Sequence, residues 1–305
     1  MSPAPASESR GRVWITGHSG FTGHYLSVAL AESGFEPIAA AHLRDFDLCD
    51  TQSIERELAR VQPDYVIHLA AVSYVAHGEA TDFYAVNTVG TAQLLECLAQ
   101  SSGSLRKVVI ASSANVYGNS LREPITEDVP PAPVNHYACS KVAMEQLARA
   151  MYDRLPILIV RPFNYTGLGQ SDRFLVPKLV RYFAHREALL RLGNLDVVRD
   201  FSDVRMVAAA YCRLLASSLV ATEVNICSGE GRSLQSIVDT LQERSGHGAR
   251  IEVDPALVRG SEVKRLVGGN ARLLDAVGAL PYADFDATLA WMLDQATQAA
   301  QPRSD

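Results

Sequence analysis

A tyrosine and a lysine stand four residues apart in the segment YACSK, which runs from Tyr137 to Lys141. Side chains at this spacing lie one turn apart on the same face of a helix. A phenol can give a proton to a carbonyl oxygen during a reduction, and we expect the nearby ammonium to lower the pKa of that phenol toward neutral pH. Because tyrosine and lysine also meet by chance on ordinary helices, this interpretation depends on a second motif.

The second motif is the glycine-rich segment TGHSGFTG, in which Gly17, Gly20 and Gly23 follow an apolar strand and precede a helix. The first glycine permits a sharp turn, the second lets a pyrophosphate approach the backbone, and the third lets the helix pack against the strand. The N-terminus of the helix attracts phosphate through its dipole. Together the motifs predict a nicotinamide dinucleotide site, where Tyr137 transfers a proton and Lys141 also holds the nicotinamide ribose.

A serine is placed to join this pair. Ser113 lies in the segment SSANVYG after the fourth apolar strand, and the carboxyl end of a parallel strand faces the crevice where ligands bind. Its hydroxyl can hydrogen-bond the substrate oxygen and polarise the carbonyl. A serine here can also cap a turn, but with the tyrosine and the lysine present we favour the catalytic role.

The stretch after the second strand should bind the adenosine ribose, and an acidic residue at its start would indicate NAD. Here His42 and Arg44 come first. Their charge suits a 2′-phosphate and predicts NADP, with NAD as the alternative, since Arg44 fits a solvated surface equally well. Asp47 and Leu48 follow, and we expect them alongside the adenine.

The composition excludes several other classes of function. The chain has 305 residues, 48% of them apolar and 20% charged, with a formal charge of -6, as expected for a soluble globular protein. No basic stretch offsets this charge, which argues against nucleic-acid binding, and no apolar run is long enough to cross a membrane. The five cysteines are widely spaced, which indicates reduced thiols in the cytoplasm rather than disulfides or a metal site. Residues 1–12 have the composition of a disordered tail.

The order of elements predicts the fold class. In the first half of the chain strands alternate with helices, with strands at 13–16, 36–41, 64–69, 107–112 and 157–160 and helices at 22–33, 51–61, 83–99 and 137–152. Thr51 fits the N-cap of the second helix. Nearly continuous apolar strands of this kind form a parallel sheet covered on both faces, so we expect an α/β fold with a Rossmann-type doubly wound parallel sheet.

The pattern changes after residue 165. We expect a helix at 174–190, strands at 188–192 and 223–227, and a mixture of short helices and strands from 234 to 298. The sequence therefore predicts a dinucleotide-binding domain and a smaller, interleaved α/β domain that binds substrate. The first would comprise 13–165 with 199–227 returning to it, and the second 166–198 with 228–305.

These motifs together resemble the extended short-chain dehydrogenase/reductase family that acts on nucleotide sugars, and the resemblance covers nearly the whole chain. Further matching features are HLAA at 68–71, Asn87, RPFN at 161–164 and RDF at 199–201. Within the family, the segment RPFNYTGLGQ at 161–170 is most similar to the GDP-mannose 4,6-dehydratases and the GDP-4-keto-6-deoxy-mannose reductases. The segment 194–201 resembles the reductases in particular.

The resemblance implies a role for individual residues. It assigns catalysis to Ser113, Tyr137 and Lys141. It assigns cofactor binding to the three glycines, to Tyr137 and Lys141, and to Ser19, Phe21, Thr22, His42, Arg44, Asp47, Leu48, Leu69, Ala70, Ala71, Asn87 and Phe163. It assigns substrate binding to Ser73, Ser113, Asn115, Asn164, Lys178, Arg199 and Arg259. The two arginines would hold the nucleotide diphosphate, because guanidinium groups fit phosphate oxygens.

Departures from the relatives bear on the reaction. Dehydratases of this family carry an acid and a base just after the catalytic serine, whereas here Ala114 and Asn115 stand there, and neither transfers protons near neutral pH. This favours NADPH-dependent reduction of the 4-keto group of a GDP-4-keto-6-deoxy sugar, giving GDP-rhamnose or its 4-epimer. One alternative is a 4-epimerase that retains NAD, which would need the same catalytic residues Ser113, Tyr137 and Lys141. Another is a non-enzymatic regulator that senses NADP, which would not need them. A further departure is Met206, since relatives often carry an acidic residue at this position after RDF. Its absence puts a helix cap at this place in doubt.

The expected partner is a nucleotide-diphosphate sugar, with a GDP-sugar favoured. The resemblance also implies a homodimer that forms through a four-helix bundle of the helices at 83–99 and 137–152. The sequence itself shows that each helix has an apolar stripe, which fits ordinary core packing as well.

Overall fold

The computed structural model describes residues 9–39, 46–73, 79–101, 105–248, 250–258 and 263–300. The strands within these ranges are β1 (Arg12–Thr16), β2 (Glu36–Ala39), β3 (Tyr65–His68), β4 (Lys107–Ala111), β5 (Ile157–Pro162), β6 (Asn164–Thr166), β7 (Leu190–Leu192), β8 (Val198–Asp203), β9 (Thr222–Ile226), β10 (Gly231–Ser233), β11 (Ile251–Val253) and β12 (Arg265–Leu266). The α-helices are α1 (Phe21–Glu32), α2 (Thr51–Val61), α3 (Ala80–Tyr84), α4 (Thr91–Gln100), α5 (His136–Arg149), α6 (Leu175–Ala184), α7 (Val204–Ala216), α8 (Leu234–Ser245), α9 (Ala271–Val277) and α10 (Phe285–Ala300). A π-helical turn, Ala85–Gly90, joins α3 to α4.

Six strands form one parallel sheet in the order β2-β1-β3-β4-β5-β9. Apolar side chains cover both of its faces. Leu26 of α1 and Val207 of α7 belong to the core on one face, and Ile54 of α2, Leu94 of α4 and Met144 of α5 belong to the core on the other. A parallel sheet buried on both sides confirms the Rossmann-type doubly wound fold that the sequence predicts.

The topological switch point of this sheet lies at β1. β1 pairs with β2 on one side and with β3 on the other, and the helices that follow β1 and β2 cover opposite faces. Connections that diverge in this way open a crevice beyond the carboxyl ends of the strands. The glycine turn follows β1 at this edge, and Ser113 follows β4 at the same edge.

A second, smaller sheet surrounds β8, which pairs with β10 antiparallel and with β6 and β12 in parallel. β7 and β11 form a separate parallel pair. Residues of α6, α8 and α10 form their own core there, with Leu179, Ile237 and Leu289 among the fully buried side chains. The assignment of two domains with the boundaries given above stays a prediction. No helix within the described ranges has the length and apolar composition needed to cross a bilayer.

Several elements differ from the sequence predictions. The single helix predicted at 83–99 is instead α3, the π-helical turn and α4, and the helix predicted at 137–152 ends at Arg149. The helix predicted at 174–190 ends at Ala184, because Arg186 has a left-handed backbone (φ 49°) that ends the helical path before β7. The C-terminal region contains a 16-residue helix, α10, rather than short elements alone. The N-cap of α2 is Asp50 and not Thr51, since the Asp50 carboxylate accepts a hydrogen bond from the backbone N–H of Gln52 at 3.0 Å.

The doubt about a helix cap after RDF is also resolved. The carboxylate of Asp203 accepts from the backbone N–H of Arg205 at 2.7 Å and so caps α7, while Met206 is buried in the core. Residues 9–12, which the sequence analysis placed in the tail, are among the described residues: the backbone N–H of Arg10 donates to Gly34 O at 2.9 Å, and its guanidinium lies 4.8 Å from the centroid of the Phe35 ring.

Candidate active site

In the glycine turn after β1, two of the three glycine positions, 17 and 23, cannot accommodate any larger residue. Gly17 has a φ of +75°, and a β-carbon there would lie 2.8 Å from the backbone nitrogen of Ala70. A β-carbon on Gly23 would lie 2.5 Å from the Cα atom of His18. Gly20 is exposed at the N-terminus of α1, and no side chain caps that end of the helix. The turn therefore presents an open helix N-terminus, which suits a pyrophosphate.

Three residues predicted to bind the cofactor lie beside the turn. Ser19 is exposed, and Phe21 and Thr22 are half-buried at the first turn of α1. The Phe21 ring stacks on Tyr165 with centroids 6.2 Å apart, and Thr22 Oγ1 lies 2.8 Å from the Tyr165 hydroxyl. Tyr165 belongs to β6, so these contacts tie the turn to the strand that follows the end of β5. Tyr165 was not among the predicted site residues.

The segment expected alongside the adenine is described only in part. His42 and Arg44 lie outside the described residues. Asp47 is exposed, and its carboxylate accepts from the backbone N–H of Cys49 at 2.8 Å. Leu48 is buried, and a β-carbon on Gly90 would come within 2.9 Å of its side chain. This close contact fixes Leu48 against the π-helical turn.

The loop after β3 is held in place by Asn87. Its side chain accepts from the backbone N–H of Val72 at 2.8 Å and donates to Val72 O at 3.1 Å and to Ser140 Oγ at 3.1 Å. Asn87 is fully buried, and these hydrogen bonds position the loop against α5. Leu69, Ala70, Ala71 and Val72 of this loop are half-buried, and Ser73 beyond them is exposed.

Ser113 and Tyr137 meet at the carboxyl edge of the sheet. Ser113 Oγ accepts from the backbone N–H and from Nδ2 of Asn115, each at 3.2 Å, and so caps a short 3-10 helix. Ser113 also lies close enough to Tyr137 to lower the pKa of its phenol, and both residues are 8% exposed. The capping role and the catalytic role proposed for Ser113 are therefore compatible in one geometry.

The pKa of Tyr137 is raised to about 12. Burial is the main cause, the neighbouring Tyr165 adds to it, and the Ser113 side chain opposes it. We expected Lys141, together with a nearby nicotinamide charge, to lower this pKa. In the protein alone the pKa is raised instead, because loss of solvent around the phenol dominates. A raised pKa keeps Tyr137 protonated at neutral pH, which is the state that a proton donor requires.

Lys141 is almost wholly buried, and its Nζ donates to the carbonyl oxygen of Ala111 at 2.8 Å. Burial lowers the pKa of this ammonium to about 8, and the charge of Glu145 acts in the opposite direction. Ala111 ends β4, so the hydrogen bond anchors Lys141 beside the strand that leads to Ser113. Within the described ranges, no group of three His, Cys, Asp or Glu side chains is arranged to hold a metal ion.

Two ionisable residues that support this site were not among the predicted site residues. His68 is buried at the end of β3, and Glu145 is buried on α5 one turn after Lys141. Each carried a signal in the sequence, since a histidine in the apolar strand YVIH and a carboxylate four residues from Lys141 are unusual at buried positions. The hydrophobic pattern by itself does not show which side chains His68 and Glu145 contact.

The predicted substrate-binding residues occupy several positions around the second sheet. Asn164 is exposed at the start of β6, and Phe163 before it is buried against Tyr117. Arg199 is 9% exposed and donates to the carbonyl oxygens of Val198 and Lys264. Arg259 lies outside the described residues.

Lys178 lines a surface cavity of about 320 Å³ together with Arg181, Tyr182, Glu187, Leu189, Leu190 and Arg191. Its Nζ donates to the carbonyl oxygen of Arg191 at 2.7 Å. Another cavity, of about 600 Å³, lies between Thr126–Asp128, Ser217–Leu219 and α9, and it contains none of the predicted site residues.

The chain is similar to known proteins over most of its length. The family model of the NAD dependent epimerase/dehydratase family matches residues 13–227. A GDP-6-deoxy-D-talose 4-dehydrogenase of Aggregatibacter actinomycetemcomitans is 35% identical, over 88% of this chain and 91% of that protein. A GDP-6-deoxy-D-mannose reductase of Pseudomonas aeruginosa is 34% identical, over 88% of this chain and 92% of that protein. The solved structure of RMD from Pseudomonas aeruginosa complexed with NADPH superposes with a TM-score of 0.83 at 32% identity, covering 95% of this chain and 98% of that one.

Proposed function

The chain belongs to the NAD-dependent epimerase/dehydratase family, and on this premise we propose that it uses NADPH to reduce the 4-keto group of a GDP-activated 4-keto-6-deoxy sugar. It is an NAD(P)-dependent oxidoreductase of nucleotide sugars. The proposed substrate is GDP-4-keto-6-deoxy-mannose, and the product is GDP-rhamnose or its 4-epimer. The names of the two relatives support this choice, because 6-deoxy-mannose and 6-deoxy-talose are the two sugars that reduction at C4 can give.

The observation that carries the proposal is the meeting of three side chains at the carboxyl edge of the sheet: Ser113 and Tyr137 are each 8% exposed, and Lys141 Nζ donates to Ala111 O at the end of β4. Bound NADPH would supply a hydride to C4 of the sugar. Tyr137 gives its proton to the C4 oxygen, and Ser113 hydrogen-bonds the same oxygen and polarises it. Lys141, anchored on Ala111 O, holds the ribose and stabilises the phenolate that Tyr137 leaves behind. The open N-terminus of α1 receives the pyrophosphate.

The residues after Ser113 favour reduction over dehydration. Ala114 is buried and has no acid or base to offer. Asn115 uses both its backbone N–H and its side-chain amide to donate to Ser113 Oγ. Removal of the C5 proton and of the C6 oxygen requires an acid and a base at this place, and neither residue supplies one.

The assignments of substrate and cofactor groups belong to the same proposal. Asn164 would contact the sugar near the nicotinamide, and Arg199 with Arg259 would hold the diphosphate. NADP is favoured over NAD because His42 and Arg44 suit a 2′-phosphate. We place the enzyme in the cytoplasm because all five cysteines are free thiols.

The direct test is to incubate the purified chain with GDP-4-keto-6-deoxy-mannose and NADPH. We expect one NADPH oxidised for each sugar reduced, and a product whose C4 configuration is read by NMR. Thermal melting with GDP, UDP, dTDP and CDP, each with NADPH or NADH, should show its largest upward shift for GDP with NADPH, since ligands that bind the folded state stabilise it. Conversion of the sugar with no change in NADPH would overturn the proposal.

That last outcome would favour the second candidate, a 4-epimerase that keeps NAD bound. The same three catalytic residues suffice for it, and the family name covers both reactions. An epimerase forms its ketone transiently and shows no net consumption of coenzyme, so stoichiometry separates the two functions.

We also propose that the protein forms a homodimer through the helices at 83–99 and 137–152. Val89 and Leu147 lie on these helices and are 51% and 40% exposed. Two large apolar side chains exposed on neighbouring helices fit a self-associating face.

A further inference from the structure

A buried carboxylate lies directly behind the catalytic pair. Glu145 is 0% exposed and stands four residues after Lys141 on α5. Its Oε1 accepts from Ser112 Oγ at 2.6 Å and from Arg161 Nε at 2.9 Å, and its Oε2 accepts from Arg161 Nη2 at 2.6 Å. The guanidinium of Arg161 is 1% exposed, so this is a bidentate ion pair shielded from water.

The ion pair belongs to a longer chain of hydrogen bonds. Arg161 Nη1 donates to the Tyr117 hydroxyl at 2.9 Å, and that hydroxyl donates to Asn225 Oδ1 at 2.7 Å. Asn225 Nδ2 donates in turn to Ile125 O at 2.9 Å. The chain thus joins α5 to β5, to β9 and to the 3-10 helix that follows Ser113. A connected and fully satisfied buried network holds its members in one arrangement.

Stability alone does not account for this pair. Moving two charges out of water costs as much as their attraction returns, and an apolar pair of similar volume often serves a core equally well. What the carboxylate adds is its position, since it lies one helical turn from the Lys141 ammonium and is hydrogen-bonded to the residue next to Ser113. Its helical neighbour Lys141 takes part in the proposed reaction, and its hydrogen-bond partner Ser112 adjoins Ser113, which does so as well.

We propose that Glu145 is a positioning residue for the proposed reduction: its buried carboxylate keeps the Lys141 ammonium charged and, through Ser112, holds Ser113 in place at the end of β4. This inference rests on the proposed function for its kinetic consequences. Its electrostatic part concerns the protein alone, and so it can be tested without any substrate.

The ionisable groups that face the Lys141–Glu145 pair come from several elements. Tyr137 shares α5, His68 ends β3, Tyr117 follows β4 and Arg161 ends β5, and Arg149 of α5 reaches Glu145 Oε2 at 3.4 Å. His68 is neutral, because burial and the Lys141 charge lower its pKa to about 3. Tyr137 and Tyr117 are neutral as well, with pKa values raised to about 12. Glu145 is thus the negative charge that opposes the effect of burial on Lys141.

The first test is an NMR titration of the free protein labelled with ¹³Cε-lysine. The chain has four lysines, so the Lys141 signal can be assigned with a Lys141→Met variant. In the wild type we expect the midpoint of the Lys141 titration near pH 8, because burial lowers the pKa of Lys141 to about 8. In Glu145→Gln it should fall by about one unit or more, as for loss of a nearby opposite charge.

The matched control is Glu223→Gln. Glu223 carries the same carboxylate, hydrogen-bonded to Arg149 and Tyr152 at the outer end of the network. Its replacement should leave both the Lys141 midpoint and the activity unchanged. If Glu145→Gln does not fold because Arg161 is left unpaired, the double variant Glu145→Gln/Arg161→Met removes both charges, and its midpoint should also lie below that of the wild type, by less than in the single variant because loss of the Arg161 cation acts in the opposite direction. An unchanged Lys141 midpoint in a folded variant would overturn the proposal.

The second test is the pH profile of the reduction. Activity requires charged Lys141, so it falls as the pH rises through the pKa of Lys141. In Glu145→Gln this fall should occur about one pH unit lower, and kcat below it should drop by about tenfold, with a smaller change in the KM for NADPH. A uniform loss at every pH would mean that Glu145 is merely structural. A wild type with no reductase activity would refute the proposed function while the NMR titration still decides the role of Glu145.

Discussion

His68 Nδ1 lies 2.6 Å from Thr16 Oγ1, so one buried imidazole joins β3 to β1 immediately below the glycine turn. The other ring nitrogen lies 2.9 Å from Thr91 Oγ1 at the start of α4. Burial, and after it the charge of Lys141, lowers the pKa of His68 to about 3. The imidazole therefore stays neutral in the folded protein across the whole range in which a free histidine takes up a proton.

This shift predicts a specific loss of stability in acid. Between pH 6.5 and pH 3 the unfolded chain binds a proton at His68 and the folded chain does not, so this residue destabilises the fold by about 1.4 kcal/mol for each unit that the pH falls. Its contribution is fully present above pH 6.5. We expect the difference in free energy of unfolding between wild type and His68→Gln to shrink by about 2 kcal/mol from pH 7 to pH 5 in urea titrations. A difference that does not change with pH would contradict this account.

The contact between Gly23 and His18 predicts the effect of a single methyl group. A β-carbon on Gly23 would lie 2.5 Å from the Cα of His18, a backbone atom that cannot move independently of the turn. In Gly23→Ala we expect NADPH binding, measured by calorimetry, to weaken by roughly 10- to 100-fold. Gly248→Ala is the matched control, because nothing lies within 4 Å of a β-carbon at that position. Equal affinities in the two variants would show that the turn does not carry the cofactor.

Local signals explain why much of the fold could be predicted from the sequence. The apolar strands, the glycine turn and the helix at 51–61 are encoded within short windows, and the structure reproduces them. The contacts that complete the site join distant positions, as His68 does with Thr16 and Tyr117 with Asn225, 108 residues away. The direction of the Tyr137 pKa was mispredicted for the same reason, since burial is a property of the assembled fold. No periodicity in one sequence reveals which distant residues will meet.

Removing the Tyr137 hydroxyl separates binding from chemistry. In Tyr137→Phe the ring remains and the proton donor is lost, so we expect turnover to fall by roughly 100-fold or more while NADPH affinity stays within a few-fold of the wild type. Steady-state rates and calorimetry check the two parts. Tyr282→Phe is the control, since Tyr282 is 52% exposed and its ring, not its hydroxyl, lies under Arg205. Full activity in Tyr137→Phe would refute the proton-donor role.

The choice between NADPH and NADH is predicted to depend on Arg44, which lies outside the described residues. If its guanidinium meets the 2′-phosphate, Arg44→Ala should weaken NADPH binding by roughly 10- to 100-fold, as for loss of a hydrogen bond to a charged group. NADH has no such phosphate, and its affinity should not change. Equal losses for both coenzymes would instead indicate that Arg44 supports the fold.

The proposed dimer can be tested by placing a charge on the exposed face of its helices. Val89 and Val28 are both 51% exposed, but only Val89 lies on the helices assigned to the four-helix bundle, whereas Val28 lies on α1. Val89→Glu would put a carboxylate into an apolar interface without a partner, and such burial is costly enough to shift a dimer toward monomer. In sedimentation at micromolar concentration we expect a dimer for the wild type and for Val28→Glu, and a monomer for Val89→Glu. A wild type that sediments as a monomer would refute the dimer, and identical behaviour of all three proteins as dimers would place the interface elsewhere on the surface.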